Sequence, residues 1–287
     1  MPARLIINAD DFGLTRGINR AVGELHSAGV LTSATLMAGG PAFDDAVEVV
    51  RAHPTLGVGC HIVLTDGVPV SPPESIPTLM AHDRRTFRLR LTRFLEALIT
   101  RRISSEDIAR EALAQIEKLR RAGIRVTHLD THKHTHLFPM VYRPLLEVAE
   151  RTGIPAIRSP FEPAWSQSLA QGHTARRLAI RALTLLKPSF DSAPQLQSQK
   201  VRTTDGTTAI SATGNLDGST LAELLAALPT TGTYELCCHP GYNDADLDAI
   251  TTRLRAHRDT EREALLAEVP GALAQPDAPA LITYADL

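Results

Sequence analysis

Cysteine is scarce in this sequence. The 287 residues include three cysteines, Cys60, Cys237 and Cys238, and the last two are adjacent. Adjacent cysteines rarely bridge, three cannot form a disulfide framework, and no Cys-x-x-Cys motif is present. We therefore interpret all three as reduced and buried, which predicts a cytoplasmic protein.

Long apolar runs are also absent. No stretch approaches the roughly 18 apolar residues of a membrane-spanning helix. The start, MPARLIINADD, reaches acidic residues by position 10 and lacks the charged start, apolar run and cleavage site of a signal peptide. We expect no transmembrane helix and no leader segment.

The sequence also has no large excess of charge of one sign and no nucleotide-binding motif. The net charge is -2, which gives no reason to expect a nucleic-acid partner. A P-loop, a GxGxxG fingerprint after a strand and a GxSxG elbow are all absent. Nucleotide cofactors and serine-hydrolase chemistry are therefore not indicated.

What the sequence does contain is an alternation of short apolar strands and amphipathic helices. Strands are predicted at 4–10, 32–40, 56–64, 124–130, 155–160, 208–214, 233–241 and 280–287. Helices are predicted at 18–29, 41–54, 106–123, 139–153, 173–187, 219–228 and about 246–267. This pattern, without a linker, predicts one α/β domain over 1–287: a single distorted TIM-like (β/α) barrel of seven or eight parallel strands. A doubly wound open sheet is the competing topology.

Residues 68–105 interrupt the alternation. VPVSPPESIP is proline-rich and predicts an inserted loop, and residues 84–102 place Phe87, Leu91, Phe94, Leu95 and Leu98 on one helical stripe with arginines elsewhere. One interpretation is an amphipathic helix packed on the barrel. The other is a basic surface that touches a membrane or a lipidic substrate.

Histidine is concentrated in one place. HLDTHKHTH, residues 128–136, holds His128, Asp130, His132, His134 and His136. If the segment is extended, residues 130, 132, 134 and 136 point the same way. Such a row suits a metal ion or a proton-transfer site, but an ordinary polar strand end is the alternative. His128 precedes the strand end, and we interpret it as structural.

Polar residues recur at the carboxyl ends of the predicted strands. They are Asp10, Asp11, His61, Asp130, His132, Arg158 and His239. In a parallel α/β barrel or sheet these ends share one rim, where catalytic groups gather. The agreement between distant segments is stronger evidence for a site than any single motif.

Each residue also has a structural interpretation. Asp10-Asp11 could form a turn with a helix cap, and His61 could be a satisfied core histidine. On one rim, however, Asp11, His61 and His132 would supply one carboxylate and two imidazoles, a common hydrolytic metal shell. His134 and His136 could then orient ligands, contact substrate or line the loop.

His239 and Arg158 carry the same ambiguity. His239 could cap the turn at Pro240-Gly241, or protonate a leaving group on the rim. Arg158 could be only a salt-bridge residue, or it could hold the carboxylate of Asp10 ionised and aimed.

Several motifs in this order resemble one known family, the YdjC-like carbohydrate deacetylases (the ChbG/HpnK group). The resemblance covers most of the chain, and the key positions show no departure. It is carried by LIINADDFGLTRGINRAV, LTSATLMAGG, LGVGCHIVLTDGVPV, THLDTHKHTHLFP, IRSP, ELCCHPGY and LITYADL.

The resemblance implies a distorted TIM-like barrel and metal-dependent removal of acetyl groups from N-acetylated sugars. It implies metal ligation by Asp11, His61 and His132 and a general-base role for Asp10. By analogy with related polysaccharide deacetylases, it implies His239 as general acid and Arg158 as the residue that tethers the base. Asp130, His134 and His136 are left to substrate binding or to contacts behind the ligands.

We therefore expect an enzyme that releases acetate from an acetylated amino sugar, with a divalent metal ion, Mg or Zn first and Co, Ni or Mn as alternatives. The substrate is a chitooligosaccharide or an N-acetylglucosaminyl lipid such as a hopanoid glycolipid. The family makes a homodimer plausible, and the arginine-rich stretch leaves contact with the inner face of the membrane open. A non-catalytic sugar- or metal-binding barrel, or a metal-dependent hydrolase of another amide or a phosphoester, are the rival interpretations.

Overall fold

A computed structural model describes residues 3–88, 90–169 and 174–287. Its strands are β1 Arg4–Phe12, β2 Ser33–Leu36, β3 Gly57–Ile62, β4 Val126–Thr131, β5 Gly206–Thr208, β6 Thr233–Cys238 and β7 Ala280–Leu281. Its α-helices are α1 Arg16–Ser27, α2 Phe43–Ala52, α3 Leu91–Ile99, α4 Ser105–Arg121, α5 Pro139–Thr152, α6 Ala164–Leu169, α7 Thr174–Leu183, α8 Lys187–Asp191, α9 Pro194–Gln197, α10 Gly218–Ala226, α11 Ala245–Asp248 and α12 Ala256–Leu273. Short 3-10 helices lie at Pro73–Ser75, His132–Leu137, Thr184–Leu186 and Tyr284–Asp286.

The strands form one parallel sheet in the order β4-β3-β2-β1-β6-β5, and β7 pairs with the start of β1. Because β6, late in the chain, lies beside β1, the sheet curls towards the arrangement of a barrel, in which the last strand meets the first. Beyond β4 the pairing is reduced to single-residue bridges, Leu129 to Ile157 and Ala156 to Arg202. The α/β class and the parallel sheet are as predicted, but the regular pairing shows a curled sheet and not a complete barrel.

The missing regular strands have a physical cause. The predicted strand 155–160 contains Pro155 and Pro160, which have no N–H to give to a ladder. Among the described residues, the backbone donors of this segment are Ile157 and Arg158, which donate to the carbonyls of Arg202 and Leu129, each at 2.9 Å. The strand predicted at 208–214 was wrong beyond Thr208, since β5 ends there and residues 210–214 form turns. The strand predicted at 280–287 was too long, since β7 has two residues.

The helices begin and end where local chemistry allows. The hydroxyls of Thr15 and Ser104 and the carboxylate of Asp217 accept backbone N–H bonds at the first turns of α1, α4 and α10. α5 begins on Pro139 and ends at Gly153, whose φ of 69° is in the left-handed region that glycine favours. The predicted helix 246–267 is instead two helices, α11 and α12.

The amphipathic stretch at 84–102 is shorter than predicted. Its helix is α3, and Phe87 lies before it in an antiparallel bridge to Met80. Phe94 and Leu98 of the predicted stripe are buried in the main core, which favours the packed interpretation. Leu89 of this stretch, and His173 at the start of the predicted helix 173–187, lie outside the described residues.

The core occupies the space between the sheet and the surrounding helices, where α4 packs on α5 and α10 on α12. Cys60, Cys237 and Cys238 are buried free thiols, as predicted. In the part of the chain that the structure describes, no helix combines the length and the apolar character needed to cross a membrane.

Candidate active site

Asp10 and Asp11 lie at the carboxyl end of β1, where the strand departs from regular geometry. The register with β2 shifts between Ala9 and Phe12, so one extra residue of β1 is accommodated there, and Asp11 has a φ of 62°. Such a bulge re-aims side chains that would otherwise alternate between the two faces of the sheet. Both carboxylates therefore reach the same rim but contact different partners.

Asp10 is held by Arg158. Nη1 of Arg158 donates to Oδ2 of Asp10 at 2.8 Å and Nη2 donates to Oδ1 at 2.6 Å, a bidentate pair. Asn8 and Thr35 also donate to Oδ1, at 3.0 and 3.2 Å. Burial alone would raise the pKa of Asp10, but the charge and hydrogen bonds of Arg158 hold it well below its usual value. Asp10 is therefore ionised and fixed in orientation.

Arg158 joins three carboxylates. Besides Asp10, its Nη1 lies 2.6 Å from Asp130, and its Nε donates to the two carboxylate oxygens of Glu235 at 2.9 and 3.0 Å. The side chain is fully buried, and burial would lower its pKa, but the three carboxylates raise the pKa well above its usual value. Arg158 is thus a charged centre beneath the rim.

Asp11, His61 and His132 converge on one point. Oδ1 of Asp11 lies 3.7 Å from Nε2 of His61 and 3.2 Å from Nδ1 of His132. One ligand atom from each of the three lies within 4.8 Å of the others. Oδ2 of Asp11 accepts a bond from Arg258 of α12 at 2.6 Å, which leaves Oδ1 to face the imidazoles.

Asp130 orients His61 from behind. Nδ1 of His61 lies 2.8 Å from Oδ1 of Asp130, so Nε2 is presented towards Asp11. Burial disfavours a charged imidazole, but the carboxylates of Asp130, Asp10 and Asp11 outweigh it and raise the pKa of His61 to about 9. A metal-ligating imidazole commonly donates its other ring N–H to such a carboxylate, which fixes the orientation of the ring.

These groups fit a divalent cation on three grounds. Oδ1 of Asp11 is buried and makes no hydrogen bond within the described residues. The carboxylates of Asp10, Asp11 and Asp130 outnumber the guanidinium groups of Arg158 and Arg258 that contact them. One carboxylate and two imidazoles are a donor set that Zn and other divalent ions accept.

Two other groups have ligand spacing but suit a metal less well. Asp10, His134 and Cys237 form one, and Asp10, His61 and Asp130 form the other. Both use Asp10, whose two oxygens already accept the bidentate bonds of Arg158. A cation there would displace or face a buried guanidinium.

His239 stands across from Asp10 at the end of β6. Its Nε2 lies 3.9 Å from Oδ2 of Asp10, and its Nδ1 lies 3.9 Å from Oε2 of Glu261. The same carboxylate oxygen accepts the backbone N–H of His239 at 2.5 Å. Burial raises the pKa of Glu261, with the charge of His239 acting against it. An acidic side chain thus fixes the loop that carries this imidazole.

The condition that residues 128–136 are extended holds only as far as Thr131, where β4 ends. His132–Leu137 is a 3-10 turn, and Lys133 and His134 have left-handed φ values of 58° and 50°. Asp130, His132, His134 and His136 therefore do not form a row on one face. The turn brings His132 to Asp11 and separates it from the histidines that follow.

His134 and His136 occupy different surroundings. Nδ1 of His136 shares a 2.7 Å hydrogen bond with the hydroxyl of Thr131, and the side chain is fully buried. Burial lowers the pKa of His134 to about 3, so its imidazole is neutral. Nδ1 of His134 is buried without a hydrogen-bond partner in the described chain. One ring nitrogen of His134 lies within 4.8 Å of ligand atoms of Asp10 and Cys237.

A comparison with protein-family models assigns the chain. The YdjC-like protein model matches residues 4–274, which is most of the sequence. The chain belongs to the YdjC-like family. The prediction of this family from the sequence motifs is therefore confirmed.

Curated relatives of this YdjC-like protein carry the name of the predicted enzyme class. A carbohydrate deacetylase of Geobacillus stearothermophilus is 33% identical over 250 residues, 86% of this chain and 83% of that protein. A carbohydrate deacetylase of Brevibacillus brevis is 41% identical over 158 residues, 55% of this chain, and the match spans 60% of that protein.

Solved structures agree on the fold. A candidate cellobiose-phosphate cleavage protein from Enterococcus faecalis superposes with a TM-score of 0.79 at 26% identity, covering 100% of this YdjC-like chain and 99% of the other. A lactam utilization protein from Thermus thermophilus has a TM-score of 0.51 at 14% identity and covers 97% of this chain and 99% of the other, which shows the fold alone.

The sequence did not predict four residues that belong to the hydrogen-bond network of this YdjC-like site. Glu235 interrupts an apolar strand two residues before Cys237, so strand alternation could have placed it inside the sheet with Asp10. Arg258, Glu261 and Tyr284 come from α12 and the chain end, and not from strand ends. Arginine is frequent in this sequence, so Arg258 carried no signal of its own.

Proposed function

We propose that this chain is a metal-dependent hydrolase that removes the acetyl group from an N-acetylated amino sugar and releases acetate. The observation that carries the proposal is the meeting of Asp11, His61 and His132 around one point, with the ionised Asp10 tethered beside them. Family membership and the names of the curated relatives support the acetylated sugar as substrate class.

The proposed ligands are Asp11, His61 and His132, with Mg or Zn as the first candidates and Co, Ni or Mn as alternatives. Such an ion, when bound, lowers the pKa of water and polarises an amide carbonyl. Arg258 would keep one oxygen of Asp11 turned towards the ion, and Asp130 would keep Nε2 of His61 available.

The proton transfers fall to Asp10 and His239. As water adds to the acetamide carbon, Asp10 accepts one of its protons, and Arg158 keeps that carboxylate aimed. The C–N bond then breaks as His239 donates a proton to the departing nitrogen. The immediate products are acetic acid and a free amino sugar. Acetic acid then loses its proton to His239 or to solvent, which leaves acetate, and Asp10 returns its proton to solvent, so atoms and charge balance. The 3.9 Å between Nε2 of His239 and Oδ2 of Asp10 supports this division of roles, because both side chains can then reach the same small substrate group.

Asp130, His134 and His136 have different proposed roles. Asp130 acts behind His61, as its hydrogen bond supports. His134 is the candidate for a substrate contact, because its neutral imidazole lies near Asp10 and its Nδ1 has no hydrogen-bond partner among the described residues. His136 is tied to Thr131 and supports the turn.

The finer substrate identity, the dimer and the cellular location stay predictions. A chitooligosaccharide and an N-acetylglucosaminyl lipid such as a hopanoid glycolipid are the two substrates to compare. The burial of Phe94 and Leu98 removes most of the apolar stripe that favoured membrane contact, although Ile99 is 72% exposed. A homodimer in the cytoplasm, with or without peripheral contact to the inner membrane face, completes the proposal.

The test is acetate release. Purified protein is stripped with a chelator, reloaded separately with Mg, Zn, Co, Ni or Mn, and incubated with N,N'-diacetylchitobiose and with a lipid-linked N-acetylglucosamine. We expect acetate and free amine in equal amounts from at least one substrate, only after reloading. Sugar binding without acetate would instead favour a non-catalytic barrel, and turnover confined to a different amide or a phosphoester would favour another hydrolase.

A further inference from the structure

The end of the chain returns to the interior of the sheet beneath the site. β7 pairs with the start of β1, and Ile282 donates its N–H to the carbonyl of Leu5 at 3.0 Å. Thr283 and Asp286 then form a capping box that turns the backbone inward. Tyr284, at this turn, is fully buried although it is three residues from the last residue of the sequence.

Both parts of the Tyr284 side chain have a specific partner. The ring stacks on His128, with centroids 3.8 Å apart and planes at 15°. His128 itself fits because residue 59 is glycine, since a Cβ there would lie within 2.4 Å of the imidazole. The hydroxyl donates a short hydrogen bond to Oε2 of Glu235. Burial raises the pKa of Tyr284 well above its usual value, so the hydroxyl keeps its proton and remains a donor.

Glu235 connects this hydroxyl to the proposed base. Its carboxylate accepts from Nε of Arg158 at 2.9 Å and also from Nη2. Nη1 and Nη2 of Arg158 donate to Asp10, and Nη1 also contacts Asp130. Thr207 also donates to Oε2 of Glu235, at 3.1 Å. Because all members are buried, water cannot replace a lost bond, and a change at one end shifts the others.

We propose that Tyr284 is a positioning residue for the deacetylation step, acting through Glu235 and Arg158 on the orientation of the Asp10 carboxylate. Tyr284 touches neither the proposed metal ligands nor His239 in any contact that the structure gives. The inference rests on the proposed function, since it assigns Asp10 as the base. It adds a residue from the chain end, which none of the strand-end motifs includes.

A purely structural role for Tyr284 predicts a different effect of substitution on turnover. If the ring only fills space, Tyr284→Phe keeps the stack on His128, and turnover is unchanged. If the hydroxyl positions the base, the same variant lowers kcat while substrate affinity and metal content stay constant. The two roles therefore predict different kcat values for Tyr284→Phe even if this variant folds as well as the wild-type protein.

The chain offers a matched control. Tyr142 is also fully buried, and its hydroxyl shares a 2.8 Å hydrogen bond with Ser189, away from the site. Tyr142→Phe removes one tyrosine hydroxyl hydrogen bond, here a part-buried one, as Tyr284→Phe does, but it leaves Glu235 and Arg158 untouched. Any general cost of losing such a bond appears in both variants.

The experiment measures kcat, KM, bound metal and Tm for the wild-type protein, Tyr284→Phe and Tyr142→Phe, with the metal and substrate that support acetate release. We expect kcat of Tyr284→Phe to fall about tenfold, a modest misalignment of a catalytic group, with KM and metal content within twofold of wild type. Tyr142→Phe should keep the wild-type kcat. Equal kcat values in the two variants, or a fall explained by lost metal, would overturn the inference.

A second variant, at Glu235, allows the same connection to be tested if Tyr284→Phe does not fold. Glu235→Gln interrupts the same connection one step nearer to Arg158, so adding Tyr284→Phe to it should lower kcat by less than twofold more. Independent, multiplied effects would contradict a shared path. If the wild-type protein releases no acetate at all, the proposed function is wrong and this inference fails with it. If the wild-type protein is active and Tyr284→Phe has the same kcat, only the inference about Tyr284 is wrong.

Discussion

Two neighbouring aspartates serve different partners because the backbone bends between them. Asp11 has a φ of 62°, a region that asparagine and aspartate enter more easily than other residues with a side chain. The bend lets Asp10 reach Arg158 while Asp11 reaches His61 and Arg258. A regular strand would send one of the two carboxylates to the far face of the sheet. Local strain of this kind is found mostly at functional sites.

At the same scale, the proposed base can be tested by Asp10→Asn. The amide keeps the size of the side chain and can still accept from Asn8 and Thr35, but it cannot take a proton. We expect kcat for acetate release to fall by about 10²–10⁴ with metal content unchanged. Steady-state kinetics and metal analysis of one preparation measure both.

A control for Asp10→Asn is Asp277→Asn, which alters an exposed carboxylate outside the site and should keep full activity. Wild-type turnover in Asp10→Asn would remove Asp10 from the mechanism. Loss of metal together with turnover would instead place Asp10 among the ligands.

The residues of the site differed in how far the sequence could predict them. Asp10, Asp11, His61 and His239 were accessible because parallel strands bring their carboxyl ends to one rim. Arg258 and Tyr284 were not, since a helix and a chain end can approach a sheet from many directions. Which histidine of the block meets Asp11 depends on the left-handed turn at Lys133 and His134, which no side-chain pattern announces.

At the scale of elements, helices were more predictable than strands. Helix starts are often preceded by a capping residue that can be read from the sequence, such as Ser104 before α4 and Asp217 before α10. The strands of this sheet are short, and β5 and β7 depend on pairing with distant residues. Periodicity in the sequence cannot reveal such pairing.

The cap of α10 gives a stability prediction. Asp217 accepts the backbone N–H of Thr220 at 2.9 Å, and this bond, with the Thr220 side chain, lowers the pKa of Asp217 below 3.8. Asp217→Ala should lower the free energy of unfolding by about 1 kcal/mol near neutral pH. Because the folded-state pKa is depressed, the part due to charge is present above about pH 4 and is lost as the pH falls through the folded-state value.

Urea unfolding of the wild-type protein and Asp217→Ala, from about pH 7 to about pH 3.5, measures this difference. The difference in the free energy of unfolding between the wild-type protein and Asp217→Ala should become smaller towards the acid end of the range. Asp217→Asn, which keeps a capping oxygen, should lose less than Asp217→Ala. A difference that grows as the pH falls would contradict the assignment of the cap.

At the scale of the whole molecule, buried polar residues lie at the carboxyl ends of the strands and in the sheet interior beneath them. The carboxyl ends of the strands carry Asp10, Asp11, His61 and His239, and the chain end closes the interior beneath them. The parallel sheet followed from the alternation of strands and helices, whereas its incomplete pairing followed from prolines beside Ile157 and Arg158. The match to the Enterococcus faecalis structure over the full chain shows that this arrangement recurs.

The whole account depends on where a divalent cation binds, and anomalous X-ray diffraction from a crystal grown with Zn or Co measures that position directly. We predict one principal peak at coordinating distance from Oδ1 of Asp11, Nε2 of His61 and the ring of His132. A peak held instead by Asp10, His134 and Cys237, or no peak near Asp11 in crystals of protein that releases acetate, would contradict the account.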